Sequence, residues 1–425
     1  MRAAGDGAPG GGAMKLLVIV TEYPKSTETF IYRDLVKFGE CGVEIELHHL
    51  APFRHDQKLH AFAEPTRGWA RYVPFAGGEA LAATARAALG GRGALLRAAG
   101  QLLWGYRRHP KLALKSLALI PKALAIAERA KSWGADHVHA EFAGHPATVA
   151  WLMHRMGGPA YSVSCRAHDI FRSQAMLDLK LGEASGVRTV SEYGRAFLHE
   201  RVPALAGREI QVIHSSVDLA PIAPVEEVPS TTPFRILFVG ALEPKKGVEH
   251  LLDALALAGP QLGDWTCQVV GHGPSRSDLE AQTARLGLAE RISFAGALDF
   301  AAVSEAYARA SLCVAPSVIG PGGRQEGIPN VMIEALAFQR PAISSGISGI
   351  PELIRDGDTG LLVPPADPAA LAQAILRVHA DPQAALEMAR RGRAHVAAHF
   401  DLEVNARRQL DLFAGAASRP ARAGS

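Results

Sequence analysis

Short apolar runs alternate with helical stretches along this chain in two separate series, and a proline-rich segment divides them. The first series contains KLLVIV, GVEIELHHL, HVHAEF, YSVSCRAHD, GVRTV and EIQVIH, with helices expected at 28–38 and 146–156. The second contains FRILFVG, TCQVVG, RISFAG, SLCVAP, PAISS and GLLVP, with helices expected at 247–257 and 277–286. A short, continuous apolar run is the pattern of a strand covered on both faces, as in a parallel sheet. Strands separated by helices return to the same sheet through right-handed crossovers. Between the series, Pro221, Pro224, Pro229 and Pro233 mark 219–233 as a linker. The expected architecture is α/β: two Rossmann-like domains, 14–218 and 234–400, whose parallel sheets face each other across a cleft. Residues 80–131 read as a helical insertion in the first domain, and 401–413 as a helix beyond the second. The leader 1–13 (MRAAGDGAPGGGA) and the tail 414–425 are expected to be flexible.

A net charge of +3 conceals an asymmetry. Residues 234–400 hold 14 Lys/Arg against 17 Asp/Glu, while residues 1–233 hold 27 against 22. The basic excess lies in the first half, which favours an anionic partner there, either a phosphorylated substrate or a membrane surface. Within 86–131 there are ten Lys/Arg and one acid, Glu128, with Trp104, Tyr106 and many leucines interleaved. Such a basic amphipathic surface suits an anionic bilayer; an ordinary solvated helical face is the plainer reading. Cys41, Cys165, Cys267 and Cys313 stand far apart, so a disulfide frame or zinc cluster is not expected. No apolar run is long enough for a membrane span, and the beginning of the chain lacks a signal-peptide pattern, so a cytoplasmic location is expected.

Chemistry concentrates in QEGIPNVMIEALAF, residues 325–338. Pro329 suits the first position of a helix over 330–338. The loop before it carries Gly322, Gly323 and Gly327. A glycine-rich loop entering a helix N-terminus offers free N–H groups and a positive dipole end to phosphate. Glu326 and Glu334 flank that tip. Like charge keeps them off the phosphates, and they fit hydroxyl groups on either side of a diphosphate, one holding a sugar and the other a ribose. The bland alternative makes Glu326 a helix-dipole partner and Glu334 a surface residue.

The spacing resembles the Glu-x7-Glu motif of glycosyltransferase family 4, retaining enzymes of GT-B fold. ILFVGALEPKKGVEHLLDAL, VVGHGPSRSDLE, EGIPNVMIEALA and GISGIPELIRDGDTGLLVPPADP resemble that family's C-terminal half in order and spacing. TEYPKSTETFIYRDL and HAEFAGHPATVAWL look like enzymes of bacterial exopolysaccharide assembly, including colanic-acid-type transferases. The resemblance implies that Glu326 contacts the donor sugar and Glu334 the ribose. It also implies a donor site of Lys246 on the diphosphate, backbone groups of Gly327 and Ile328, and Gly240, with His168 beside the reacting centre. Lys246 has independent support, because a departing diphosphate develops charge that a lysine stabilises.

The family has an arginine where this chain has Ala241; Arg324 or Arg166 is the expected replacement. Asp169 is read as a cap for the turn after it. The Asp356–Asp358 pair lies in the turn RDGDTG and is not expected to bind metal. No P-loop, HExxH or GxGxxG occurs, which removes support for kinase, zinc-protease and dinucleotide-dehydrogenase chemistry. The implied partners are a nucleoside diphosphate sugar and a saccharide acceptor linked to polyprenyl diphosphate, with no cofactor, no metal and no nucleic acid. A nucleotide-sugar epimerase of the same fold and a non-catalytic sugar-nucleotide-binding relative are the rival readings.

Overall fold

The computed structural model describes residues 13–25, 28–56, 59–90, 92–171 and 173–418, with the side chain of His168 left out. The leader expectation for 1–12 therefore lies outside the described residues. Thirteen strands form two sheets among them. The first holds β1 (Lys15–Val20), β2 (Glu44–His49), β3 (Ala70–Tyr72), β4 (His137–Glu141), β5 (Tyr161–Cys165), β6 (Gly186–Thr189) and β7 (Gln211–Val212) in the order β3-β2-β1-β4-β5-β6-β7. The second holds β8 (Phe234–Val239), β9 (Trp265–Val270), β10 (Ile292–Gly296), β11 (Leu312–Ala315), β12 (Ala342–Ser345) and β13 (Leu361–Val363) in the order β10-β9-β8-β11-β12-β13. Every pairing is parallel. Burial explains this: Leu16, Leu17, Val18, Ile19 and Val20 of β1 all lie in the core, as a strand with helices on both faces requires.

Sheets wound in this way reverse direction once, at β1/β4 and at β8/β11, and the crevice outside the strand ends there is where ligands gather. The loops after β8 and β11 carry Lys245, Lys246 and Glu326. The helix Ala167–Phe171 after β5 meets the β11 loop from the N-terminal domain, at Gly327.

The structure corrects several boundaries. β3 was not expected; ARY is too short to show a periodicity. The helix expected to stop at residue 257 runs Val248–Leu262 and contains Pro260. The insertion consists of four helices, Gly78–Gly90, Arg92–Gly105, Pro110–Ala118 and Ile120–Trp133. The last helix spans Leu402–Ala417, so 414–417 is helical where a flexible tail was expected; residues 419–425 are outside the description. This helix returns to the N-terminal domain. Phe413 packs edge-on against Phe38 at 5.6 Å and near His139 at 4.7 Å. Gln409 donates to Asp34 at 3.0 Å. An amphipathic helix is held by the apolar face it buries, and here that face belongs to the first domain.

Candidate active site

Glu326 lies just before the helix Asn330–Ala337, where two lysines of the β8 loop reach it. Lys245 Nζ stands 2.7 Å from Oε1 and Lys246 Nζ 3.0 Å from Oε2. Pro244–Lys246 form a single 3-10 turn, ended by Gly247 at φ 65°. A Cβ on Gly247 would lie 2.0 Å from the Pro316 carbonyl oxygen, so only glycine lets the lysine turn lie against the β11 loop. The Val318 N–H donates to the Lys245 carbonyl at 2.9 Å and fastens the two loops together. Burial raises the Glu326 pKa, but the charges of Lys246 and Lys245 outweigh it and the net shift is downward. The group is an ionised carboxylate, suited to accepting hydrogen bonds from hydroxyls and not to delivering a proton. Two lysines against one carboxylate leave this rim positive at a helix N-terminus, which favours an anion.

Pro329 occupies the N-cap position of that helix, one residue before the expected place, and the helix ends at Ala337. Gly327 abuts the N-terminal domain: a Cβ there would lie 3.4 Å from the Cβ of Ala167. The helix Ala167–Phe171 contains His168, whose side chain lies outside the described part of the structure. The fold thus brings the helix bearing His168 up to the Glu326–Gly327 turn. Asp169 caps this helix from within: Oδ1 accepts the Arg166 N–H at 2.8 Å and Oδ2 accepts the Ala143 N–H. Burial raises its pKa to about 7 despite these bonds.

Glu334 is not a surface residue. Its Oε1 lies 3.1 Å from Nη2 of Arg33, and its Oε2 lies 3.3 Å from the Tyr307 hydroxyl. Sequence reading missed Arg33 and Lys245. A second lysine beside Lys246 was a visible signal; nothing around Arg33 marks it. Ile328 is buried beneath the turn, and Gly240 lies against the Phe238 ring with Lys246 Cδ 3.8 Å from where its Cβ would be.

Of the two replacements for the missing arginine, Arg166 is excluded by its surroundings. It is buried, donates to Glu141 at 3.2 Å and Ser215 at 3.2 Å, and stacks 4.1 Å from the Phe30 ring. Arg324 is exposed, paired with Glu243 at 3.1 Å on the rim beside the lysine turn. Asp356 and Asp358 hold their own turn, through the Leu362 N–H at 2.9 Å and Arg391 at 2.9 Å. Among the described residues, no three His, Cys, Asp or Glu side chains converge as a metal site would require.

Two α/β domains, each with an all-parallel sheet, form the GT-B architecture. The structure of the Anabaena protein HepE in complex with UDP superposes with a TM-score of 0.68 at 20% identity, covering 94% of this chain and 99% of that one. That likeness establishes the fold. Residues 233–381 match the family model described as glycosyl transferases group 1. The chain is 30% identical over 167 residues to the alpha-D-kanosaminyltransferase of Streptomyces kanamyceticus, covering 39% of this chain and 42% of the relative. It is 27% identical over 384 residues to the putative colanic acid biosynthesis glycosyltransferase WcaL of Escherichia coli K12, covering 85% and 89%. Seven curated relatives that precede WcaL in similarity are spanned over only 16% to 58% of their lengths.

Proposed function

We propose that this chain transfers a hexosyl group from a nucleoside diphosphate sugar to a saccharide acceptor in the assembly of an extracellular or cell-surface polysaccharide. One observation carries the reading: a buried, ionised Glu326 held by Lys245 and Lys246 at a helix N-terminus. Glu326 grips hydroxyls of the donor sugar, and a bound diphosphate draws the lysines. Lys246 and the backbone of Gly327 and Ile328 then stabilise the charge that develops as the diphosphate leaves. Glu334 holds the ribose. His168 stands on the acceptor side, beside the sugar. Retention of configuration follows from the Glu-x7-Glu resemblance, and no step calls on a metal. HepE binds UDP, which makes UDP-sugars the first donors to try, and the names of the relatives favour transfer over the epimerase reading.

The acceptor in this proposal is lipid-linked, and the insertion brings the protein to it on the cytoplasmic face of an anionic membrane. Leu89, Leu96, Trp104 and Leu114 are 80%, 71%, 69% and 71% exposed. Around them stand Arg92, Arg97, Arg107, Arg108, Lys111 and Lys115, also exposed. Apolar side chains amid cations match an anionic interface. This surface adjoins the acceptor side: Gly105 packs directly on Met176, in the segment that follows the helix of His168. No helix among the described residues is long and apolar enough to cross a membrane.

The decisive assay incubates the protein with UDP- and GDP-hexoses and measures nucleotide release with and without a polyprenyl-diphosphate saccharide. Release that depends on the acceptor supports transfer, and NMR of the product reads the anomeric configuration. Isomerised donor without acceptor would establish the epimerase instead. Sedimentation with phosphatidylglycerol vesicles, compared with phosphatidylcholine vesicles, tests the membrane surface; equal recovery in both refutes it.

A further inference from the structure

Arg33 belongs to the N-terminal domain, on the helix Thr29–Glu40, yet its guanidinium ends in the C-terminal domain at Glu334. The pair is well shielded, with side chains 11% and 18% exposed. Its position is fixed from several directions. Ile31, Tyr32 and Leu35 of the same helix are in the core. The guanidinium carbon lies 5.7 Å from the centre of the Phe62 ring, on its own domain, and 6.0 Å from that of Phe300, on the other. Cation–π contact of this kind restrains a guanidinium more than a lone ion pair does.

The second partner of Glu334 is weaker. Tyr307 has one hydroxyl proton and two acceptors for it, the Val331 carbonyl at 3.1 Å and Glu334 Oε2 at 3.3 Å. Arg33 is therefore the steady donor to this carboxylate. His60 lies close enough to feel the charges of Arg33, Asp299 and Glu334; burial, and then Arg33, push its pKa down, which leaves the cationic role to Arg33. A carboxylate accepts about four hydrogen bonds, so one taken by Arg33 leaves room for ribose hydroxyls while setting the plane they must meet. Orientation of this kind is what a supporting residue contributes to recognition.

We infer that Arg33 is a positioning residue for the donor: supplied by the opposite domain, it orients Glu334 towards the ribose, so that ribose selection operates only when the two domains meet. This rests on the reading of Glu334 as the ribose ligand.

The test is calorimetric titration of the full chain with UDP and 2′-deoxy-UDP, and with GDP and 2′-deoxy-GDP. A hydroxyl bonded to a carboxylate should give the wild type a preference for the ribonucleotide of about tenfold or more. Arg33→Ala is expected to cut that preference several-fold by weakening ribonucleotide binding while leaving the deoxynucleotide nearly unchanged. Arg33→Lys, which keeps the charge but loses the planar fork, should fall between, and it carries the test if the alanine variant does not fold. A folded variant that binds both nucleotides more weakly by the same factor, with the ratio intact, counts against the inference. Glu334→Gln separates the two claims. If it flattens the preference and Arg33→Ala does not, Arg33 has no positioning role and the ribose reading stands. If Glu334→Gln leaves the preference unchanged, the ribose reading itself fails and takes the inference with it. Tighter binding of both nucleotides to Arg33→Ala would show a competitor in place of a support.

Discussion

β4 buries His137, His139 and Glu141 within five residues, whereas β11, at the same place in the other sheet, is Leu312–Ala315 and apolar throughout. Around β4 several of the polar groups pair with one another, while the three guanidinium nitrogens of Arg188 and Nδ1 of His137 have no hydrogen-bond partner among the described residues. Ser162 meets His137 and His139 at 2.7 Å each, Ser164 meets His139 at 2.8 Å, and Glu141 faces Arg166. Arg188 and Asp34 lie alongside at 3.9 Å, both in the core. The N-terminal half thus places a group of its charges in the interior of a sheet. The C-terminal half keeps buried charge out of its sheet and places Glu326, Lys245 and Lys246 beyond the strand ends. The difference teaches that the same winding separates charges built into a sheet from charges left at the strand ends, where the proposed function puts the donor, and that burial between strands tells them apart.

The largest expected effect probes the buried network. Burial raises the Glu141 pKa, but the Arg166 charge and the His139 contact outweigh it, and the net shift is downward. A depressed carboxylate contributes stability above its unfolded pKa of about 4.3 and loses it as pH falls further. Glu141→Gln leaves buried arginine charge uncompensated and should cost about 3–5 kcal/mol, seen in denaturant unfolding at pH 7, with a flatter acid limb than wild type. A variant as stable as wild type breaks the comparison on its N-terminal side.

On the other side, Glu326→Gln should lower kcat by about 100- to 1000-fold, or about 2.7–4 kcal/mol, with little change in unfolding. Large instability with activity retained would place Glu326 among the structural charges.

Between the halves, Glu352 accepts the N–H groups of Glu192 and Tyr193 at 2.8 and 3.0 Å, capping a helix of one domain from the other. Glu352→Ala should cost about 0.5–2 kcal/mol, as other cap losses do. Its Tm, read with small-angle scattering, shows whether the domains separate.

The smallest effect sharpens the donor side. Arg324→Ala should weaken nucleoside diphosphate binding about fivefold, or about 1 kcal/mol, because its exposed pairing with Glu243 holds it only lightly. Unchanged affinity in a titration removes Arg324 as the substitute for the arginine absent at Ala241.

Much of this was legible in the sequence where the signal is local. Continuous apolar runs located twelve of the strands, and QEGIPNVMIEALAF placed a helix tip beside Glu326. β3 escaped because three residues at a sheet edge carry no period. Arg33 escaped, and Arg166 was expected at the diphosphate instead of in a buried pair, because their partners come from distant positions, Glu334 and Glu141; one sequence records no trace of such pairings. The docking place of the last helix was hidden for the same reason: its amphipathic face reports that it packs, not on what.

That last helix also bears on how the protein is made. Phe38 and His139 take part of their cover from Phe413, which follows the second domain in sequence. During translation the first domain is finished last, after the second has already emerged. A disruption of this helix therefore burdens the half that lies furthest from it in sequence.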